Sequence, residues 1–471
     1  MISNLQDAKT DSTTVESDVC VIGSGAAGIT IARSLARQGK KVILCEGGAL
    51  DYSDESQEIY LGETIGDVYF DLDVARLRYF GGSTNHWHGI CRSLEAIDFD
   101  RSYISEALKW PITKSDIDPY LDEACGILDI GSDFPEVEIG RRIRTVTFKE
   151  SLPTRFAEKY LEEIQASDKI EMITNANFVD VEVIDRRISQ AMFKSYNGKH
   201  LSVRAENVVL ATGGIENSRL LLWLHRNHGD RLYDKRLPVG EYWMEHPEYF
   251  IGAAFVEKKV LNHASYSLDG FAQKEEGVLN CCISVYEAEA TATERLLEDL
   301  LCVAPTYGGK MAELMEMDLA CGAIIETVWE LEPLKSNRIE LSDSEKDKFG
   351  IPRPVLFWKK SPFDRRTLAV STEVFNQWLH ESDLGRLKLD EWMISDMPYP
   401  ETYAPGGFHH MGGTRMGVNP EVSVVDSNCR IHGTKNFYVA GSSIFTTGGY
   451  TNPTLPIVQF SLRLADHLAK V

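Results

Sequence analysis

The side chains with the most chemical potential lie near the C-terminus, in Phe408-His409-His410-Met-Gly-Gly-Thr-Arg-Met-Gly417 and Thr447-Gly-Gly-Tyr-Thr-Asn452-Pro-Thr454. Imidazole is the side chain that exchanges protons near neutral pH, and His409 and His410 each offer one. The run Phe437 to Ala440 reads as a buried strand ending in Gly441, and Asn452-Pro-Thr reads as the start of a closing helix reaching about Ala469. A helix N-terminus there can point at a bound nucleotide. A histidine, an asparagine and two glycine turns thus converge on one ligand, which is the composition of an active site.

Something must hold that nucleotide, and the opening stretch Asp18 to Gly48 is built for it. Val19 to Ile22 reads as a buried strand, Ala26 to Gln38 as a helix and Val42 to Cys45 as a second strand ending in Glu46. Between the first strand and the helix runs Gly23-Ser24-Gly25-Ala26-Ala27-Gly28. Gly23 permits the tight turn, Gly25 lets backbone approach a pyrophosphate, and Gly28 lets helix and sheet pack closely. The helix dipole then favours the phosphates. Glu46 stands eighteen residues past the last glycine, where a carboxylate accepts hydrogen bonds from a ribose and repels a 2′-phosphate. This is a dinucleotide-binding βαβ unit, and the unit alone does not separate NAD from FAD.

Between these two ends the pattern changes twice. After a polar loop, Asp51 to Glu58, the segment Arg76 to Gly89 is too rich in small and aromatic residues for a regular element and reads as a shaped loop. Ile117 to Leu128 reads as a helix capped by Ser115, and Arg155 to Gln165 as another. Strands follow at Glu171 to Thr174, Val179 to Ile184 and Leu201 to Val203. A second strand, glycine turn and helix spans Asn207 to Leu222, so the nucleotide-binding part is discontinuous. From about 248 to 399 alternating runs such as Cys321 to Trp329 and Arg338 to Leu341 are joined by helices at Thr291 to Leu301 and Phe363 to Leu379.

The fold class expected is therefore α/β, a Rossmann-like nucleotide domain with an α+β substrate domain on an antiparallel sheet. The expected boundaries are 1–247 for the first part of the nucleotide domain, with a loop at 76–92 and a helical insertion at about 100–170. Residues 248–399 form the substrate domain, and 400–471 complete the nucleotide domain.

Charge and cysteine usage narrow the setting. The net charge is −22, from 71 acidic against 49 basic residues, without a basic patch or helix, so nucleic acid and anionic membranes are poor partners and neither is expected. Nine irregularly spaced cysteines, none in CxxC, fit a reducing compartment. Residues 1–17 carry no export signal, and no apolar run spans a membrane. A soluble cytoplasmic protein is expected. No cluster has metal-ligand spacing, so no metal is expected.

Four segments taken together resemble the glucose-methanol-choline (GMC) family of flavin oxidoreductases over almost the full chain. They are Gly23 to Gly28 with Glu46, the Gly81-Gly-Ser-Thr-Asn-His-Trp87 loop, Leu210-Ala-Thr-Gly-Gly-Ile-Glu-Asn217, and the His409 to Gly417 and Asn452-Pro-Thr454 ending. FAD rather than NAD is what the resemblance implies. It places the catalytic pair on His409 and Asn452, with His410 as the rival base. It places cofactor contacts on Gly23, Ser24, Gly25, Ala26, Ala27, Gly28, Glu46, Gly82, Ser83, Thr84, His86, Phe178, Ala211, Gly441, Ser442, Asn452 and Thr454. The implied reaction is oxidation of an alcohol, with His409 accepting the hydroxyl proton as hydride leaves for flavin N5.

Two positions depart from the family pattern. Gly413 stands where threonine is usual, and Val-Ala-Gly441 where other members have Asp-Gly. His86-Trp87 is similar to the subgroup of pyranose 2-oxidase and bacterial sugar dehydrogenases, which points to a sugar, glycoside or related secondary alcohol. In pyranose 2-oxidase the corresponding histidine bonds the flavin covalently; a noncovalent role is favoured for His86. His88 reads as a pocket or loop residue, and His246, in Trp243-Met-Glu-His-Pro247, as a structural residue at the domain junction. O2 or another acceptor would reoxidise the flavin. The alternative is a lyase of the hydroxynitrile-lyase type, in which FAD is structural.

Overall fold

The computed structural model describes the whole chain except residues 153, 258–259, 262–264, 288–291, 316–321 and 402–405. Its first sheet has eight strands around a parallel centre. Their order is Ile2–Asn4, Ile170–Thr174, Val42–Cys45, Ser12–Ile22 and His200–Leu210. His200–Leu210 then splits its partners. Arg187–Lys194 and Asn177–Ile184 continue antiparallel from its first half, and Phe437–Val439 pairs in parallel with Val208 to Leu210. The central strands carry continuous apolar runs because both faces are covered, as in parallel sheets generally: Cys20, Val21, Leu44, Val209 and Leu210 have essentially no exposure.

The helix Ala26–Arg37 buries Ile29, Ile31, Ala32 and Leu35 on this sheet, each large apolar side chain contributing about 1.5–3 kcal/mol. The closing helix Thr454–Leu468 packs directly against it. The first and last helices of the nucleotide domain therefore share one face.

The second sheet is antiparallel and six-stranded, in the order Gly385–Leu389, Glu248–Val256, Ala323–Trp329, Cys281–Tyr286, Ser265–Leu268 and Ile143–Val146. The helix Pro362–Glu381 lies across it and buries Leu368, Phe375 and Leu379 with Tyr266, Ile283 and Ile325. Ser361 caps this helix in a reciprocal box with Asp364. An α/β Rossmann-like body with an antiparallel α+β part is the architecture expected.

Several local readings change. Val19 to Ile22 is only the buried end of Ser12–Ile22, whose first half is polar and half exposed but runs in register with His200–Leu210 from Ser12 to Ile22. Leu201 to Val203 and Asn207 to Leu210 are one strand for the same reason, while Arg187–Lys194 was not anticipated. The expected helix Ile117 to Leu128 shortens to Leu121–Ile127, because Pro119 sits in a preceding 3-10 turn; the reciprocal cap belongs to Thr113 with Asp116, not to Ser115. The polar loop at 51–58 contains the short helix Asp54–Gln57, capped by Ser53.

Two segments join distant partners. Ile143–Val146, inside the stretch read as a helical insertion, pairs with Ser265–Leu268 in the second sheet. Arg338–Lys346 and Pro352–Trp358 form a hairpin whose second strand runs parallel to Glu63–Gly66. That hairpin buries Ile339, Leu356 and Trp358 in the nucleotide-side core, although it lies within 248–399. Thr291 and Cys321, the expected starts of a helix and a strand, lie outside the described residues; the elements observed are Ala292–Val303 and Ala323–Trp329. Among the described residues seven cysteines are free and buried, and Cys302 is disulfide-bonded. Among the described residues no helix is long and apolar enough to cross a membrane.

Candidate active site

A cavity of about 1220 Å3 runs from the glycine turn at Gly23 to the second sheet. Three glycines at its nucleotide end divide the tasks read from sequence. Gly23 has φ +100°, and a Cβ there would lie 2.6 Å from Ala211 O. A Cβ on Gly28 would lie 1.9 Å from Gly23 O, so this position is fixed by close helix packing. A Cβ on Gly25 would meet no protein atom within 4 Å. That empty cradle lies at the N-terminus of Ala26–Arg37, which no side chain caps, leaving its N–H groups free for an anion.

Ser24, Ala26, Ala27, Glu46, Phe178 and Ala211 also line this end of the cavity. Glu46 is buried, and its carboxylate is oriented by Ser24 and by the Gly48 N–H, the latter at 2.8 Å. Gly28 is the one expected cofactor residue outside the lining, because it packs behind Gly23. At the other end Gly82, Ser83, Thr84, His86, Gly441, Ser442, Asn452 and Thr454 line the same cavity. Gly82 to Asn85 form a 3-10 turn entered through Gly81 at φ +91°, and Thr84 Oγ1 donates to Gly81 O at 2.7 Å. His86 is exposed to the open cavity, and desolvation followed by the nearby Arg155 lowers its pKa. His88 also lines the cavity.

The C-terminal segment is held by its own turns. Ser442 Oγ donates to His410 O at 2.6 Å, and Gly412 N donates to Ser442 O at 3.1 Å. Gly413 has φ +85°, and a Cβ there would lie 2.4 Å from Ser218 Oγ, which accounts for glycine where the family pattern has threonine. Phe408 is held at φ +60° and packs on Phe70 with ring centroids 4.1 Å apart. Left-handed backbone at an aromatic residue costs about 1–3 kcal/mol and clusters at functional sites.

His409 lies at the centre. Its Nε2 lies 3.4 Å from Asn452 Nδ2 and its Nδ1 lies 3.0 Å from His246 Nδ1. Glu245 Oε1 accepts both the His246 N–H at 2.8 Å and the His409 N–H at 2.7 Å, and Tyr69 donates its phenol to Glu245 Oε2. Burial, then His246 and His410, hold the His409 pKa well below the ordinary imidazole value. Burial lowers His246 to about 4 and, with Arg76, His410 to about 3. Burial raises Glu245 to about 7 against the pull of its hydrogen bonds. The rings are therefore neutral at neutral pH.

The structure brings His409 and Asn452 together, while the His410 ring lies against Tyr69 and Trp243 instead. His246, read as a structural residue at the domain junction, is buried against His409. Tyr69 and the Glu245-His246 pair were missed as site residues because they lie far from each other and from His409 in sequence, with no motif spacing. The available signal was Glu245-His246-Pro247, an acid and an imidazole ahead of a proline in an apolar context.

The second sheet supplies the opposite wall: Thr145, Glu248, Ser265, Ser284 and Glu326 all reach the cavity. Burial, then Glu248, raise Glu326 to about 7. The wall is hydroxylic and acidic.

Comparison with known proteins agrees with this geometry. The GMC oxidoreductase family model matches residues 333–461, and the FAD dependent oxidoreductase model matches residues 18–103. The chain is 22% identical to 2-methyl-1,2-propanediol dehydrogenase of Mycolicibacterium austroafricanum, over 97% of this chain and 95% of that protein. It is 24% identical to 6'''-hydroxyparomomycin C oxidase of Streptomyces lividus, over 96% and 92%. Among solved structures, pyridoxine 4-oxidase from Mesorbium loti superposes with a TM-score of 0.56 at 15% identity, over 96% and 98%. With the glycine cradle, the terminal segments and these matches together, the chain is an FAD-dependent oxidoreductase acting on alcohol groups, similar to the GMC oxidoreductases over nearly its whole length.

Proposed function

We propose that the chain oxidises a secondary alcohol of a sugar, glycoside or related polyol, with His409 as general base and Asn452 as the group that holds the substrate oxygen. The observation that carries this is the 3.4 Å approach of Asn452 Nδ2 to His409 Nε2 in the wall of the cavity that also contains the Gly25 cradle. The empty space at Gly25 and the uncapped helix behind it fit the pyrophosphate of FAD. Gly23 to Ala27, Glu46, Phe178 and Ala211 would hold the nucleotide end, and Gly82, Ser83, Thr84, His86, Gly441, Ser442, Asn452 and Thr454 the flavin end. When bound, FAD supplies the two-electron acceptor that takes the C–H hydrogen of the alcohol as hydride.

The residues of the chain manage the proton. A neutral His409 can accept the hydroxyl proton at Nε2, and a base so placed contributes ~10²–10⁴-fold. The Asn452 amide donates to the same oxygen and stabilises charge as it develops. The hydroxyls and carboxylates of the second-sheet wall suit a substrate with several hydroxyl groups, because a few placed polar groups in a concave site set orientation. Residues 1–247 with 400–471 form the cofactor part in this reading, and 248–399 supply most of the substrate wall. The name of the Streptomyces lividus relative supports a carbohydrate-like substrate. O2 or another acceptor receives the electrons next. The seven buried free thiols favour a cytoplasmic setting, against which the Cys302 disulfide stands.

The test is anaerobic mixing of the purified yellow protein with a panel of sugars, glycosides and alcohols. Bleaching of the flavin by a member of the panel is expected, and His409→Ala should slow it by ~10²–10⁴-fold while retaining FAD. Turnover of a substrate with the flavin left oxidised would favour the lyase.

A further inference from the structure

An Nδ1 to Nδ1 approach of 3.0 Å between His409 and His246 requires one ring to donate and the other to accept. His246 is buried and His409 partly buried, and desolvation holds both rings neutral. Two arrangements are therefore open. If His246 donates, His409 carries its own proton on Nε2 and cannot accept another there. If His409 donates, its Nε2 presents a lone pair.

The surroundings of the two outer nitrogens choose between them. His246 Nε2 faces Gly448, where a Cβ would lie 3.0 Å from it. The backbone at Gly448 and Gly449 acts on this ring as an acceptor that favours its protonated form. Among the described residues no partner reaches His246 Nε2 at full hydrogen-bond geometry, and the backbone groups that act on the ring favour its protonated form. That keeps the proton on Nε2 and the lone pair on His246 Nδ1. At the other end, Asn452 turns its NH2 group toward His409 Nε2 at 3.4 Å, which suits a lone pair on that nitrogen. Both ends give the same direction of donation. Glu245 fixes the backbone of both histidines through one oxygen, so the contact is pre-set.

We propose that His246 is a positioning residue that accepts the Nδ1 proton of His409 and so holds His409 in the tautomer whose Nε2 lone pair faces Asn452 and the cavity. This rests on the reading of His409 as base. His246 does not touch the substrate in this role. It prevents the tautomer that would be inert, and it remains an acceptor when His409 becomes an imidazolium.

The test combines a spectroscopic reading of the FAD-loaded wild type with two variants. In 15N spectra of histidine-labelled enzyme, with His409 assigned by the signals missing from His409→Ala, Nδ1 is expected to be of the protonated, pyrrole type and Nε2 of the pyridine type. The reverse pattern overturns the proposal. His246→Leu removes the acceptor and should slow anaerobic flavin reduction by roughly 10²-fold at unchanged FAD content and substrate affinity, as removal of a partner that orients a ring does. His246→Asn places an amide oxygen where Nδ1 was and should recover at least about tenfold of that loss. Equal losses in the two variants, or none in His246→Leu, overturn the proposal. If His246→Leu does not fold, the wild-type spectrum decides alone. Full activity of His409→Ala would instead overturn the functional reading itself.

Discussion

Glu46 Oε2 accepts twice from Ser24, from its N–H at 3.0 Å and from its O–H at 2.6 Å. The acid at the end of the second strand is thus locked to the glycine turn after the first. Charge-assisted hydrogen bonds of this kind contribute about 1.5–3 kcal/mol each. Ser24→Ala is expected to weaken FAD binding by roughly tenfold, and Glu46→Ala by roughly 100-fold. Fluorescence of FAD released on dilution measures both; unchanged retention in Glu46→Ala would remove the nucleotide from this end.

The glycines give a sharper contrast. Gly28→Ala places a Cβ 1.9 Å from Gly23 O, so the apoprotein should lose several degrees of Tm or fail to fold. Gly25→Ala meets nothing within 4 Å. Its apoprotein should melt as the wild type does and yet bind FAD poorly, because the added methyl occupies ligand space. Thermal melts with and without FAD separate the two.

Acid should destabilise the folded protein through its buried imidazoles. The His246 pKa falls to about 4 on folding, so its stabilising contribution is present above the unfolded value of about 6.5 and is lost as pH drops through 4. The loss is roughly 3 kcal/mol for this ring alone, and His410 and His409 act in the same direction. Glu245 has the opposite sign: raised to about 7, it stabilises fully below about 4.5 and ceases to as pH rises through 7. Melts between pH 4.5 and 8 should show a steep acid limb, and Glu245→Gln should flatten the alkaline side.

His86 lines the cavity as an exposed side chain, and we expect FAD to be held without a covalent bond. Denaturation in acid should release yellow colour into the supernatant. Colour that stays with the precipitated wild type but not with His86→Ala would show a covalent bond at this residue.

Much of the nucleotide end was legible because backbone constraints write themselves as glycine. Gly23, Gly25 and Gly28 each allow one conformation or approach that a Cβ would block, and the apolar strands flanking them are long enough to read. His409 and Asn452 drew notice by residue type, but their assignment as a pair came only through the resemblance, since forty-odd residues of separation carry no local periodicity. Arg187–Lys194 escaped because its alternation is broken by the bulges in its pairing with Asn177–Ile184. The pairing of Pro352–Trp358 with Glu63–Gly66 was invisible because parallel register across so long a loop leaves no trace in either segment. Glu245 and Tyr69 were missed for a related reason: a buried carboxylate needs its phenol partner for satisfaction, and only the folded chain brings them together.

The hairpin at 338–358 and the strand Ile143–Val146 stitch each body to the other's stretch of sequence. Transplanting residues 248–399 from a relative to change what is oxidised would import foreign edges into both cores at once. If the antiparallel sheet forms the substrate wall, as proposed, selectivity is better altered by exchanging individual side chains on its cavity face, with Thr145, Ser284 and Glu326 the first to vary.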